Sequence, residues 1–477
     1  MSLGYKKGNH EANTKNTFFI ALVTAAWLVL CAILKNTSND QAITIVTVAA
    51  VLCASYFLSN LWVPHLPPKL KWVLLGVLAL KLLGSLAYFD HFFVIRHGST
   101  VDISAYGDSI THHKAALEFL NIWNKYHMQW DIGSRCMQNQ VPTAVSSWGY
   151  AAFLGSIYVI TGIIPEAGIV FNGFLAFVFC LMSYRLFIVA GLSDRLAATG
   201  LVILSACPAL WLWSSLLYKD TFIFAVVMAC VLAMLKLSEK CTAITVVLVI
   251  LLLVLLLPLR YAYAAPLLVL LVCSPFYLQK ISVRGTVAAM LVAAAILLAL
   301  ASVQAQFNLT NSCAPIVSSA AIVMDLKPAG GNFMSHGIGS IPPNFFNFWY
   351  ALPARAVYIL LIPMPWFGGN LPVEKLDYII SHLDTVYDMV LFFAVPIMAL
   401  QRKYKTTRKQ DAVLAVGLMY FAIPLFFFFP GRRYMTIVVP FLLAYTLPLL
   451  LQRNRAILSA VLAIAFIAVV QITYMIK

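Results

Sequence analysis

Charge is what this chain has least of. Only 10% of its 477 residues are Asp, Glu, Lys or Arg, and 17 of these are acidic. Soluble domains carry charge on about a quarter of their residues, so a water-facing globule of this size is excluded. Internal repeats, low-complexity tracts and polar linkers are missing too, which leaves no sign of a separate soluble domain. A Walker phosphate loop, HExxH, a CxxC pair and GxSxG are all absent. With them go the commonest nucleotide, zinc and serine-hydrolase sites.

What is present is apolar. Hydrophobic residues make up 62% of the chain and the mean hydropathy is +0.90. Runs such as "ITVVLVILLLVLLLPL" are apolar on every side, whereas a barrel strand would alternate. An all-α, polytopic helical membrane protein follows, folded as a single integral membrane domain over 1–477. The net charge of +15 is scattered over short loops. That pattern fits retention at the cytoplasmic face, and no nucleic-acid partner is expected. The N-terminal "MSLGYKKGNHEANTK" leads into a long apolar segment with no small-residue cleavage site, and reads as a retained anchor.

Apolar windows fall near 17–35, 42–62, 72–89, 145–162, 166–186, 197–216, 221–238, 242–258, 264–279, 286–304, 349–365, 384–401, 411–429, 435–451 and 456–475. The windows at 145–162 and 349–365 are broken by polar, Gly or Pro residues, and are expected to lie in the outer interface or re-enter from it. About 13 spans then remain, with the N-terminus inside. The cytoplasmic segments hold three N-terminal lysines, Lys69, Lys71, Arg185, Arg195, Lys236, Lys240, Lys280, Arg284, five basic residues within 401–410, Arg453 and Arg455. The short external loops hold only Lys35, Lys219, Arg260, Arg432 and Arg433. Short-loop bias of this kind sets orientation.

Two long external segments result, roughly 90–165 and 305–383, rich in Trp, Tyr, Phe and His and suited to the headgroup region. Each holds one cysteine, Cys136 and Cys313; an oxidising compartment allows them to pair, and two free thiols are the alternative. The other seven cysteines lie in or beside apolar spans, as small hydrophobes.

Chemistry-bearing residues gather in the external parts. "YGDSITHHKAALEFLNIW" holds Asp108, His112 and His113. A carboxylate there suits a general base towards a hydroxyl, or a share in a divalent cation site with Asp220; a solvated amphipathic helix capped by Asp108 or Ser109 is the plainer reading. In "WLWSSLLYKDTFIF", Lys219 and Asp220 occupy a tight turn, which orients an anion or simply needs polar residues. Arg260, Arg432 and Arg433 stand outside against the charge bias, suited to a lipid phosphate or to snorkelling. His336 lies in a Gly-rich loop, "GGNFMSHGIG", which covers a site or is an ordinary loop. No cytoplasmic loop is long enough for a nucleotide site, so any activated donor arrives attached to lipid.

The order of these features resembles the GT-C superfamily of polyprenyl-phosphate-dependent glycosyltransferases, which includes protein O-mannosyltransferases and aminoarabinose transferases. The resemblance rests on "GDSITHHKAALEFL", "SSWGYAAFLGSIYVITG", "SSLLYKD", "LPARAVYILLIPMPW" and "GRRYMTIVVP". The last two are similar to bacterial surface-polysaccharide members. It implies Asp108 and Asp220 as the catalytic carboxylates, with Lys219, Arg260, Arg432 and Arg433 near the lipid phosphate. His112, His113, Tyr150 and His336 become possible substrate contacts. The partners implied are a polyprenyl-linked sugar donor, a glycan, lipid or protein acceptor, and membrane lipids; a divalent metal is an open possibility. The implied setting is a bacterial inner membrane with an extracytoplasmic active site. This chain has His112 where the family often has Tyr, and Ser109 where a second acid often follows. An oligosaccharide polymerase or ligase, and a flippase of lipid-linked saccharides, are the alternatives.

Overall fold

Long uncharged runs leave the backbone one way to satisfy itself in lipid, which is to coil. The computed structural model describes residues 8–35, 39–89, 107–125, 148–239, 242–260, 263–264, 266–267, 375–400, 408–427 and 433–476, and among them it is helical with no strand. The helices are α1 (Gly8–Lys35), α2 (Asp40–Trp62), α3 (Pro68–Phe89), α4 (Gly107–Lys125), α5 (Trp148–Thr161) and α6 (Pro165–Val189). Then come α7 (Asp194–Ser205), α8 (Pro208–Ser214), α9 (Asp220–Glu239) and α10 (Ala243–Arg260). The last five are α11 (Lys375–Leu400), α12 (Arg408–Phe427), α13 (Arg433–Thr436), α14 (Val439–Leu450) and α15 (Arg453–Ile476).

Six of these, α1, α2, α3, α6, α9 and α11, are long and apolar enough to cross a membrane. The expected count of 13 draws on the windows at 264–279 and 286–304, which lie mostly or wholly outside the described residues, as do the window at 349–365, Cys136 and Cys313. Helix α5 has 14 residues and rises about 21 Å, short of a hydrocarbon core of about 30 Å.

One expected span is bent. The window at 197–216 is two helices, α7 and α8, meeting at a 54° bend. Pro208 is the cause: it has no N–H to give to the preceding turn, and it holds Cys207 in an extended conformation.

Helix α6 is the hub and is buried along nearly its whole length, against α2, α3, α5, α7 and α9. Its glycines permit this. A Cβ on Gly173 would lie 2.5 Å from Leu82 of α3, and one on Gly168 would lie 2.6 Å from Leu154 and 2.7 Å from Leu217. Without a hydrophobic drive between helices in lipid, such close approach is how packing energy is gained. The outer helices show the complementary pattern, exposing Leu22, Val29 and Ile33 on α1, Ile244 and Leu251 on α10, and Ile457 and Val461 on α15. In water these would be a liability; here they are the lipid face.

Gly417 of α12 meets Phe441 of α14 in the same way, a Cβ there falling 2.5 Å from the Phe441 Cβ. Gly417→Leu is expected to lower stability by about 2 kcal/mol through overpacking, read as a drop in Tm of the detergent-solubilised protein, while Gly84→Ala, in open space within a helix, keeps or slightly raises Tm. An unaltered Tm for Gly417→Leu would contradict the α12–α14 contact.

Candidate functional site

The bend and the turn that follows it, residues 203–219, bring irregular backbone inside a helical bundle. Every free backbone group there needs a partner from the protein. The partners come from four other helices. Tyr387 Oη of α11 donates to Ile203 O at 3.3 Å, and Trp211 Nε1 donates to Ser205 O at 2.7 Å. Asp384 of α11 accepts from Ala209 N at 3.1 Å, capping α8 in place of the residue before it. Lys81 of α3 donates to Leu210 O at 3.2 Å, with its ammonium 6.0 Å from the Trp211 ring centre.

The turn after α8 is held likewise. The Ser215 hydroxyl donates to Trp211 O at 2.7 Å, so Ser85 of α3 is the donor in the 2.7 Å bond between the two serines. Asn172 of α6 donates to Leu216 O at 2.6 Å and Tyr218 O at 3.1 Å, and accepts from Tyr150 Oη at 3.2 Å. Leu217 N donates to Ser109 Oγ of α4 at 3.1 Å. Lys219 then provides the first carbonyl of α9, accepting from Ile223 N at 3.0 Å.

These bonds decide which of the expected site residues meet. Asp220 stands in the first turn of α9, at its positive end, fully buried; Lys219 is 9% exposed, so the turn is an interior one. Tyr150, also buried, lies within reach of the Asp220 charge. Burial pushes its phenol far above the usual range; the Asn172 hydrogen bond opposes this, and the Asp220 charge adds to it. His112 is buried with its ring edge-on to Tyr150, centres 5.1 Å apart. Asp108 is one residue before Ser109 in the opening turn of α4, which sets its backbone beside the Lys219–Asp220 turn.

The other expected residues are only partly placed. Arg433 opens α13, whose backbone packs on α8 and α12, and Arg260 ends α10, which packs on α5 and α9. The side chains of Asp108, Arg260 and Arg433, and Arg432 and His336 entirely, lie outside the described residues. Among the described side chains no group of three His, Cys, Asp or Glu residues is arranged to hold a metal ion. Three buried polar atoms on the surrounding elements, Trp213 Nε1, Thr221 Oγ1 and Thr436 Oγ1, have no hydrogen-bond partner among the described residues. Such atoms are uncommon in folded proteins.

Four residues escape a reading by hydropathy windows: Lys81, Asn172, Asp384 and Asp388. All are buried, and the two carboxylates share one face of α11. Each is a lone polar residue in an apolar run, which was the available signal.

The chain matches no known family model, no curated protein and no solved structure.

Two outcomes follow. Asn172→Leu removes the side-chain donor to Leu216 O and Tyr218 O and the partner of the Tyr150 hydroxyl, while Leu216 O keeps its 2.9 Å bond from Tyr218 N; the expected loss is about 2 kcal/mol, read by thermal unfolding in detergent, and a wild-type Tm would contradict the bracing role. The second concerns His113, which hydrogen-bonds Tyr158 Oη through Nδ1 at 2.8 Å and so ties α4 to α5. Burial, then the neighbouring Lys114, hold its imidazole below the ordinary 6.5. The unfolded chain thus binds the proton first, so this contribution is complete above about pH 6.5 and is lost as pH falls through the lowered value. Hydrogen exchange in α4, corrected for intrinsic rate, should be faster at about pH 5.5 than at about pH 7.5, and His113→Gln should flatten the difference. Equal wild-type protection at both values would remove this tie.

Proposed function

We propose that this chain is a membrane glycosyltransferase. It moves a sugar from a polyprenyl phosphate or diphosphate to a hydroxyl acceptor at the extracytoplasmic face, in cell-surface glycan assembly. The observation that carries the reading is the Ser109–Leu217 hydrogen bond, which joins the helix turn bearing Asp108 to the turn bearing Lys219 and Asp220. Two carboxylate-bearing segments distant in sequence then share one end of the bundle, beside a lysine.

The charge map supports the side. Lys69, Arg185 and Arg195 are exposed near the opposite ends of α3, α6 and α7 from this site, and a basic end faces the cytoplasm. In the proposed reaction, Asp108 takes the proton of the acceptor hydroxyl as its oxygen bonds to the anomeric carbon. The bond from that carbon to the phosphate oxygen breaks, and the charge left on phosphate is met by Lys219 with Arg432 or Arg433. Asp220, at the start of α9, is the second carboxylate. The donor arrives by lateral diffusion in the membrane.

One observation favours a second reading, a carrier of lipid-linked saccharides. The bend between α7 and α8, with Lys81, Asp384 and Asp388 buried around it, is the kind of broken span that carriers use. A transferase converts lipid-linked donor in detergent, whereas a carrier needs a sealed bilayer.

The test is chromatography of products from purified protein, a panel of polyprenyl-linked sugars and hydroxyl acceptors. Asp108→Asn and Asp220→Asn are each expected to lower transfer at least about 100-fold with expression and Tm intact. Product at the wild-type rate from either variant would remove that residue from the chemistry, and no product from the wild type with any donor would sink the transferase reading.

A further inference from the structure

We infer that a cleft at the end of the bundle opposite the Asp220 turn is a headgroup site for an anionic phospholipid. It measures about 530 Å³ and lies between the α2–α3 connection and α7. His65, Arg195 and Thr199 form its polar rim, and Leu70 and Val202 its apolar wall. Tyr184 and Asp194 close it, the phenol donating to the carboxylate at 3.4 Å; this is the one acidic group lining the cleft, and Arg195 with the nearby Lys69 and Arg185 outnumber it.

Depth identifies the occupant. Tyr184 follows Gly168 along α6 by sixteen residues, about 24 Å of helix, and Gly168 abuts the Leu217 side chain of the turn. That separation is most of a hydrocarbon core of about 30 Å, which sets the cleft near the membrane face opposite the turn. Its surroundings are basic: Arg195, Lys69 and Arg185 are all exposed there. Basic pockets between transmembrane helices on such a face take lipid phosphates.

The apolar side of the cleft separates a lipid from a free anion. Helices α3 and α7 both pack on α6 but only lightly on each other, which leaves a seam between them. Between the same helices lies a separate cavity of about 20 Å³, room for about one water, lined by Leu74, Leu78 and Leu201 and also by Lys81. Val202 is 40% exposed at the mouth. A soluble phosphate has no use for that wall; an acyl chain lies along it while the headgroup meets Arg195 and His65. This site depends on the membrane-spanning fold alone, not on the transferase reading.

Native mass spectrometry of the full chain, stripped of lipid in detergent, tests it with three probes: phosphatidylglycerol, phosphatidylcholine with the same acyl chains, and inorganic phosphate. Phosphatidylglycerol is expected to bind about fivefold tighter than phosphatidylcholine. Arg195→Glu abolishes the preference, Arg195→Lys keeps it, and Val202→Trp, which fills the seam, weakens both lipids. Should Arg195→Glu fail to fold, His65→Ala with Arg195→Gln makes the same comparison. Equal binding of the two lipids by the wild type, a preference that survives loss of the charges, or displacement of phosphatidylglycerol by millimolar phosphate would each overturn the assignment.

Discussion

Backbone that leaves the helix inside a membrane protein must find its hydrogen bonds in the protein, and residues 203–219 depend on that requirement. Pro208 breaks the helix, and the turn before α9 breaks it again. Six side chains, Lys81, Ser109, Asn172, Trp211, Asp384 and Tyr387, bond backbone groups of this segment, and Ser85 holds the Ser215 hydroxyl. They come from α3, α4, α6, α8 and α11, so one short segment ties together helices far apart in sequence. An unmet buried carbonyl or N–H costs about 1–3 kcal/mol, so the arrangement of this segment is tightly constrained.

That constraint has a functional by-product. A segment pinned from several sides is rigid, and it presents the start of α9 with Lys219 and Asp220 at a fixed position. Helix α4 is pinned to the same turn by Ser109 and to α5 by its two histidines, each set edge-on to a tyrosine. Groups meant to act on one bond must be held within about half an ångström, and anchoring to braced elements is how that is achieved. On this view Lys81, Asn172 and Asp384 position the site; they do not touch a substrate.

Much of this was legible in residue order, and some was not. The apolar windows at 42–62, 72–89 and 166–186 agree closely with α2, α3 and α6, because a run apolar on all sides has only the helix open to it. Lys219 and Asp220 stood out as two charges in a turn between apolar runs. The window at 197–216 concealed a bend, since averaging hydropathy across "ACPAL" hides what one proline does to the turn before it. Asn172 and Asp384 were unreadable for another reason. A single polar residue in a span signals importance but not its partner, and the partner depends on how the spans rotate against one another, which glycines such as Gly168 and Gly173 decide.

The central claim is that the opening turn of α4 lies on the turn before α9, at the end of the bundle away from Arg195. Cross-linking with a short bifunctional thiol reagent tests it, using Asp108→Cys paired with Lys219→Cys and, as the distant control, with Arg195→Cys. The account predicts efficient linkage of 108 to 219 in membranes and none of 108 to 195. Failure of the first pair while both thiols react singly, or linkage of the second, would contradict it.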